Sequence, residues 1–305
     1  MKEKINCPTC KLIIDKDCKF CPYCGENLSA LQEQNIQKLD TQSLEKDPSA
    51  IKSEPKVETR SGFFDYEPQI AKLPLIYSFI LLLVGIAGVT GLGTIFQLLA
   101  KSGNFFYQNS VNFSASVNFA AYFVLFGIII AIIAPQFAKI LDSIKTKKGR
   151  LFGFFFGFAL LLITSAVSSV FNLIPHAGVN DNESSIQAIS SSYPVLSIIV
   201  FGFLGPICEE FTYRVGLFSL IRKWKRVPAY IITCLVFGLI HFNFGSSDIV
   251  NELINIPSYI VAGLLLCYFY EYKGLSASII AHVINNLFAI ILPMIISMSW
   301  NQSLL

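Results

Sequence analysis

Two adjacent glutamates, Glu209 and Glu210, sit inside the apolar run FGFLGPICEEFTYRVGLFSL, and Arg214 follows one helical turn later. A carboxylate inside a bilayer costs about 2.5–3.5 kcal/mol on insertion scales, so a chain that keeps two at that depth is expected to use at least one for chemistry. Two further polar pairs lie downstream in apolar segments, Phe237 with His241 and His282 with Asn286, each at a spacing of four. That spacing puts both members of a pair on one helix face. Glu210 and Arg214 have the same spacing and can pair locally. Glu209, about 100° further round the helix, is then left without a local partner. A buried carboxylate beside a histidine is the material of a general base that activates water.

A second group of reactive side chains opens the chain. Cys7-Pro-Thr-Cys10 and Cys21-Pro-Tyr-Cys24-Gly25 are two CxxC pairs separated by ten residues. Four thiolates in this pattern suit a tetrahedral structural zinc. So short a segment has almost no core, and the metal is expected to supply its folding energy. Disulfides are the alternative, which the expected cytosolic location disfavours. Cys18 breaks the symmetry of the two pairs and reads as a bystander. Cys208, Cys234 and Cys267 read as small apolar residues in membrane spans, although Cys208 adjoins Glu209.

The elements that position these groups follow from composition. The 305 residues are 53% hydrophobic and 14% charged, against about 25% charged in a soluble domain. Mean hydropathy is +0.59. The net charge of +3 is too small to argue for nucleic acid. Charge is concentrated before residue 73. The reading is a zinc ribbon at 1–28, a flexible linker at 29–72 with a short helix near 30–46, N-terminal transmembrane helices at 73–193 and a catalytic membrane core at 194–299. The fold class is all-α, a polytopic transmembrane bundle of seven or eight spans. They are placed near 74–100, 118–141, 151–174, 194–221, 228–243, 249–271 and 275–298, with an eighth if Pro293 divides the last. No secretory signal opens the chain, so the first span is expected to target it to the membrane.

Loops 142–150 and 222–227 are rich in Lys and Arg, whereas 101–117, 175–193 and 244–248 hold only Lys101 among them. This alternation follows the positive-inside rule and puts the ribbon and the N-terminus in the cytosol. At the helical rise, Glu209 lies roughly 18 Å from the cytosolic end of its span, His241 roughly 19 Å, His282 roughly 12 Å and Asn286 roughly 18 Å. Three spans thus bring polar groups to a similar depth, as one buried pocket requires.

The ordered trio Glu209-Glu210-x-x-x-Arg214, Phe237-x-x-x-His241 and His282-x-x-x-Asn286, spread over residues 194–290, resembles the CPBP family of intramembrane proteases. That family holds the type II CAAX prenyl proteases and the bacteriocin-processing and self-immunity proteins of the Abi group. The ribbon resembles those at the N-termini of many bacterial membrane proteins. The resemblance implies a hydrolase of the bacterial cell membrane, a glutamate-dependent endopeptidase with a peptide or protein substrate. In it Glu209 and His241 hold and activate a water. His282 and Asn286 donate hydrogen bonds to the oxyanion. Glu210, Arg214 and Phe237 support them. No catalytic cofactor is then required.

Other readings stay open. Glu209, His241 and His282 could bind a catalytic zinc, although no HExxH is present. The fold could serve as a membrane scaffold, a self-immunity protein or a regulator. A transporter also keeps polar groups at mid-membrane, but no internal repeat is seen. Neither a GxSG-like serine nucleophile nor a GxGD occurs. Membrane lipid is the expected surrounding, and the ribbon (Cys7, Cys10, Cys21, Cys24) is expected to recruit a cytosolic protein and to take no part in hydrolysis. The glycines Gly85, Gly88, Gly91, Gly93, Gly153 and Gly157 are expected to mark close helix packing. The run LFGFFFGF is expected to face lipid or pack against other helices.

Overall fold

The computed structural model describes residues 4–10, 12–15, 18–21, 24–28, 68–102, 110–145, 147–175 and 177–302. The expected linker as far as residue 67, with its short helix, the segment 103–109 and His176 lie outside the described residues. The chain falls into two compact units, a cysteine-rich N-terminal one and a helical one covering Gln69–Arg222 and Val227–Leu305.

In the N-terminal unit, strands β1 (Lys4–Asn6) and β2 (Ile13–Asp15) pair antiparallel, with Ile5 opposite Ile14. Cys7 N–H donates to the Leu12 carbonyl at 2.9 Å and tightens the turn that carries the first cysteine pair. The second turn closes through Gly25 N–H to the Cys21 carbonyl at 2.8 Å. Gly25 has φ 75° there, a left-handed angle that a side chain would disfavour. The apolar core is little more than Ile14, Leu28 and the cysteines, too small to stabilise a fold without a cross-link or a metal.

The helical unit contains α1 (Leu75–Ala87), α2 (Gly93–Ser102), α3 (Val111–Ile144), α4 (Lys147–Phe171), α5 (Asp181–Ser192), α6 (Pro194–Arg222), α7 (Arg226–Leu239), α8 (Ile249–Lys273) and α9 (Leu275–Gln302). The Ser110 hydroxyl caps α3 by accepting Phe113 N–H at 3.2 Å. Asn180 Oδ1 caps α5 by accepting Glu183 N–H at 2.9 Å. Asp181 and Glu183 in the first turn of α5 oppose its positive end. The buried face of α6 packs on α1, α3 and α9, and α4 packs on α8 and α9.

Glycine permits the closest of these approaches. A Cβ on Gly153 would lie 2.8 Å from the Ala277 carbonyl, and one on Gly157 2.7 Å from Ile284 Cβ. Gly85 faces the Thr212 side chain and Gly88 faces Leu125 just as tightly. Gly91 and Gly93 have nothing within 4 Å of a built Cβ, so the packing expectation does not hold for them. Phe154 and Phe155 of the aromatic run are exposed, whereas Phe156 packs on Phe269 at 4.8 Å.

The span count is lower than expected. Among the described residues five helices, α3, α4, α6, α8 and α9, are long and apolar enough to cross a membrane, not seven or eight. The two shortfalls have local causes. α1 runs into π-helical turns at Gly88–Leu92, which split the first expected span into pieces of 13 and 10 residues. α7 stops at Leu239 after 14 residues. Pro293 does not divide α9, which continues to Gln302.

Candidate active site

Helix α6 carries the glutamates on an irregular stretch. Its turns widen to π-helical geometry at Ile198–Leu204 and again at Glu210–Phe218. Pro206 lies between them and has no N–H to give the preceding turn, so the regular hydrogen-bond ladder cannot run through. Glu209 ends the short α-helical piece and Glu210 begins the second wide turn. Such insertions re-aim side chains within a helix and recur at functional sites.

Arg214 and Glu210 are fully buried and pair at 3.1 Å, as their spacing predicts. His282 of α9 joins them, its Nδ1 lying 2.8 Å from Glu210 Oε1. With Nδ1–H donated to Glu210, the other ring nitrogen turns to Glu209, 3.7 Å from its Oε2. That is ion-pair range and too long for a hydrogen bond. Glu209 Oε2, Glu210 Oε2 and Arg214 Nε have no hydrogen-bond partner among the described residues. Buried polar atoms left in this state are uncommon and call for a reason such as catalysis or a bound water.

Phe237 is the hub around which these groups meet. The Arg214 guanidinium lies 4.5 Å from its ring centroid. Both imidazoles touch it, His241 at 5.0 Å and His282 at 5.8 Å between centroids. His241 is not on a helix face with Phe237, because α7 has ended and His241 sits in the turn beyond it. Its Nδ1 instead meets the Phe237 carbonyl at 2.8 Å. With that proton on Nδ1, Nε2 is the basic nitrogen. The ring stacks on Tyr259 of α8 at 4.2 Å.

A cavity of about 120 Å³ opens against this cluster, lined among others by His241, His282, Asn286, Asn285, Tyr259 and Glu183. The Asn286 amide lines it and donates one N–H to the Phe201 carbonyl at 3.2 Å, which leaves its second N–H for another acceptor. Cys208 is buried in the core behind the glutamates. Cys234 and Cys267 are also buried, in line with the apolar reading of all three.

Sequence reasoning missed four residues here. Glu252 of α8 is 1% exposed and accepts Asp181 N–H at 2.8 Å and Asn243 N–H at 2.9 Å. It thereby ties the turn after His241 to the start of α5. Asn180 adds a bond from its amide to the His241 carbonyl at 3.3 Å. Tyr259 and Asn285 are the other two. Glu252, an acid near the start of an apolar span, was a signal of the kind that singled out Glu209. The others carried none, because they act through contacts remote in sequence.

Cys7, Cys10, Cys21 and Cys24 bring their sulfurs within 4.8 Å of one another. Cys7 approaches Cys24 at 3.5 Å, and Cys10 approaches Cys21 at 3.6 Å. Cys18 is outside the group. Burial opposes a thiolate at Cys7, but the backbone N–H groups of Cys10 and Thr9 and the neighbouring thiols outweigh it and bring the group down to about 7. Burial and its sulfur neighbours push Cys24 up instead. Four thiolates this close repel one another, and a cation relieves that repulsion, so the group can bind a metal ion. Among the described residues this is the one cluster with such spacing. Glu209, His241 and His282 do not form another.

Residues 191–288 match the family of type II CAAX prenyl endopeptidases described as Rce1-like. Among curated proteins, the chain is 25% identical over 194 residues to the UPF0177 protein YvdC of Lactococcus lactis, covering 63% of this chain and 71% of that one. It is 30% identical over 102 residues to an uncharacterized protein of Mycoplasma capricolum, covering 33% of this chain and 28% of that one. No solved structure matches the chain. The family match and the five long apolar helices agree on an integral membrane protein.

Proposed function

We propose, on the premise that residues 191–288 form an Rce1-like core, that the protein is an intramembrane endopeptidase using a glutamate-activated water. The observation that carries this reading is the chain Arg214–Glu210–His282, which leaves Glu209 Oε2 buried and unbonded among the described residues, facing His282 Nε2. In this reading Glu209, with His241 Nε2, orients a water and takes its proton as the oxygen attacks the scissile carbonyl carbon. The same proton passes to the leaving nitrogen as the C–N bond breaks. The oxyanion is held by Asn286 and by His282, whose ring donates from Nε2 only when it carries a proton on both nitrogens, the Nδ1–H being held by Glu210. Burial strengthens such donors. Glu210 and Arg214 are positioning groups that fix the His282 ring, and Phe237 seats both imidazoles.

The ribbon is proposed to hold a structural zinc. A tetrahedral Zn–S length of about 2.3 Å implies sulfurs a little under 4 Å apart, close to the 3.5 Å and 3.6 Å found. The zinc fixes the ribbon's fold and supplies nothing to hydrolysis. A cytosolic ribbon in a bacterial cell membrane, contacting a cytosolic protein, completes the proposal. Spacing disfavours a catalytic zinc on Glu209, His241 and His282, because their ligand atoms are not gathered as the cysteines' are.

The test is cleavage of a peptide library by the detergent-purified protein, with Glu209→Gln as control and a zinc chelator in a parallel arm. The proposal expects cleavage that disappears in the variant and survives the chelator. Cleavage untouched by Glu209→Gln overturns the mechanism. Failure to cleave any peptide favours a scaffold or immunity role.

A further inference from the structure

The cavity beside the histidines does not end there. A second cavity of about 230 Å³ shares Ile186, Ala289 and Ile290 with the first and continues between α5 and α9 toward Met294. Its α9 wall is apolar, whereas its α5 wall presents Gln187, Ser190 and Ser191. Ser190 is 3% exposed, and its hydroxyl has no hydrogen-bond partner among the described residues. A buried hydroxyl left unbonded is destabilising, and a peptide backbone laid along this wall would satisfy it. One face for side chains and one for main-chain polar groups is the form of an extended-peptide site.

Glu183 lines the first cavity, one helical turn before the Gln187 that lines the second. Gln187 Nε2 donates to Glu183 Oε1 at 2.9 Å, and the Glu183 Oε2 has no hydrogen-bond partner among the described residues. No Lys or Arg lines either cavity. The flanking segments 177–193 and 240–252 hold Asp181, Glu183, Asp248 and Glu252 and no Lys or Arg. The start of α5 favours an acid at the position of Glu183, and its place on the cavity wall puts that charge within reach of a bound peptide. Glu252 and Asp181 are already spoken for, the first by two backbone N–H groups and the second by the Asn243 amide at 2.7 Å. Of these four acids, Glu183 is the one that lines either cavity.

We infer that the two cavities form one groove for an extended peptide, in which Glu183 selects a lysine or arginine side chain beside the bond to be cleaved. This rests on the peptidase reading for the cleavage, but not for the binding. A free C-terminal carboxylate, by contrast, finds an acid at this wall and is disfavoured.

Binding to a protein disabled by Glu209→Gln separates the two questions. The probes are octapeptide pools carrying a benzophenone cross-linker, with Lys, Ala or Glu fixed at one position and the others randomised. The expected result is a position at which Lys pools cross-link to α5 or α9 at least tenfold more than Glu pools. Glu183→Gln should shrink that ratio to about two, and Glu183→Lys should reverse it, which misfolding cannot do. Ser190→Phe should abolish cross-linking at the far end of the groove. Absence of a cationic preference at every position, or a preference unchanged by Glu183→Lys, overturns the inference. Charge-reversible binding by a protein that never cleaves would leave the groove standing and remove the peptidase. Cleavage indifferent to residue 183 would do the opposite.

Discussion

Helix α6 carries two buried arginine–glutamate clusters, and they are built to different standards. Near its end, Arg222 bonds Glu271 Oε1 at 2.5 Å and Tyr230 bonds Glu271 Oε2 at 2.5 Å, so both carboxylate oxygens are used. The Glu271 carbonyl accepts Gln69 N–H at 2.8 Å, and the neighbouring Tyr270 hydroxyl accepts Ala71 N–H at 2.9 Å. Two turns earlier, Arg214 and Glu210 sit equally deep and Glu209 is only slightly exposed, yet Glu209 Oε2, Glu210 Oε2 and Arg214 Nε lack hydrogen-bond partners among the described residues. A saturated buried pair fixes a chain in place. An under-bonded one keeps capacity for a reacting molecule, at a cost in stability that the rest of the fold must offset.

This contrast can be broken by isosteric changes. Glu209→Gln removes the proposed base without removing volume. It should lower cleavage by about 10²–10⁴-fold while leaving the thermal midpoint nearly unchanged, as turnover and melting of the same preparation will show. Glu271→Gln should do the reverse. Leaving Arg222 without its carboxylate costs about 3–5 kcal/mol, read as a large fall in melting temperature, while turnover per folded molecule stays within a factor of two. Gly157→Val tests packing that belongs to neither cluster. Its added atoms meet Ile284 and should cost about 1–3 kcal/mol in a chemical-denaturation series. Tyr230→Phe removes one bond of the saturated cluster and should cost about 1–3 kcal/mol, because the carboxylate oxygen it leaves is buried. Chelation of the ribbon should have the smallest effect on cleavage, none beyond error, while an NMR spectrum should lose the dispersed signals of the β1–β2 pair.

Much of this was legible in the sequence because buried charge is expensive. Glu210 and Arg214 at a spacing of four had to pair, and the cysteine spacing had to gather four sulfurs. Both arrangements are found. Hydropathy also located α3, α4, α6, α8 and α9 to within a few residues, except that α3 begins earlier. What hydropathy could not register was backbone irregularity. The π-helical turns at Gly88–Leu92 and the stop at Leu239 shorten two apolar runs without changing their composition. The stop also moved His241 off its helix. Its ring orientation then depends on a carbonyl, a tyrosine and the Glu252 clamp, none of which a spacing rule reaches. Likewise, no pattern indicated that His282 would bond Glu210 while facing Glu209, since that contact joins helices 72 residues apart.

The most direct test of the central claim is to measure peptide cleavage and thermal stability side by side for Glu209→Gln and Glu271→Gln in detergent. The account predicts a double separation, with Glu209→Gln folded and inactive and Glu271→Gln destabilised but active per folded molecule. If Glu209→Gln cleaves at the parent rate, or if the two variants lose activity and stability in parallel, the under-bonded cluster is not the catalytic one.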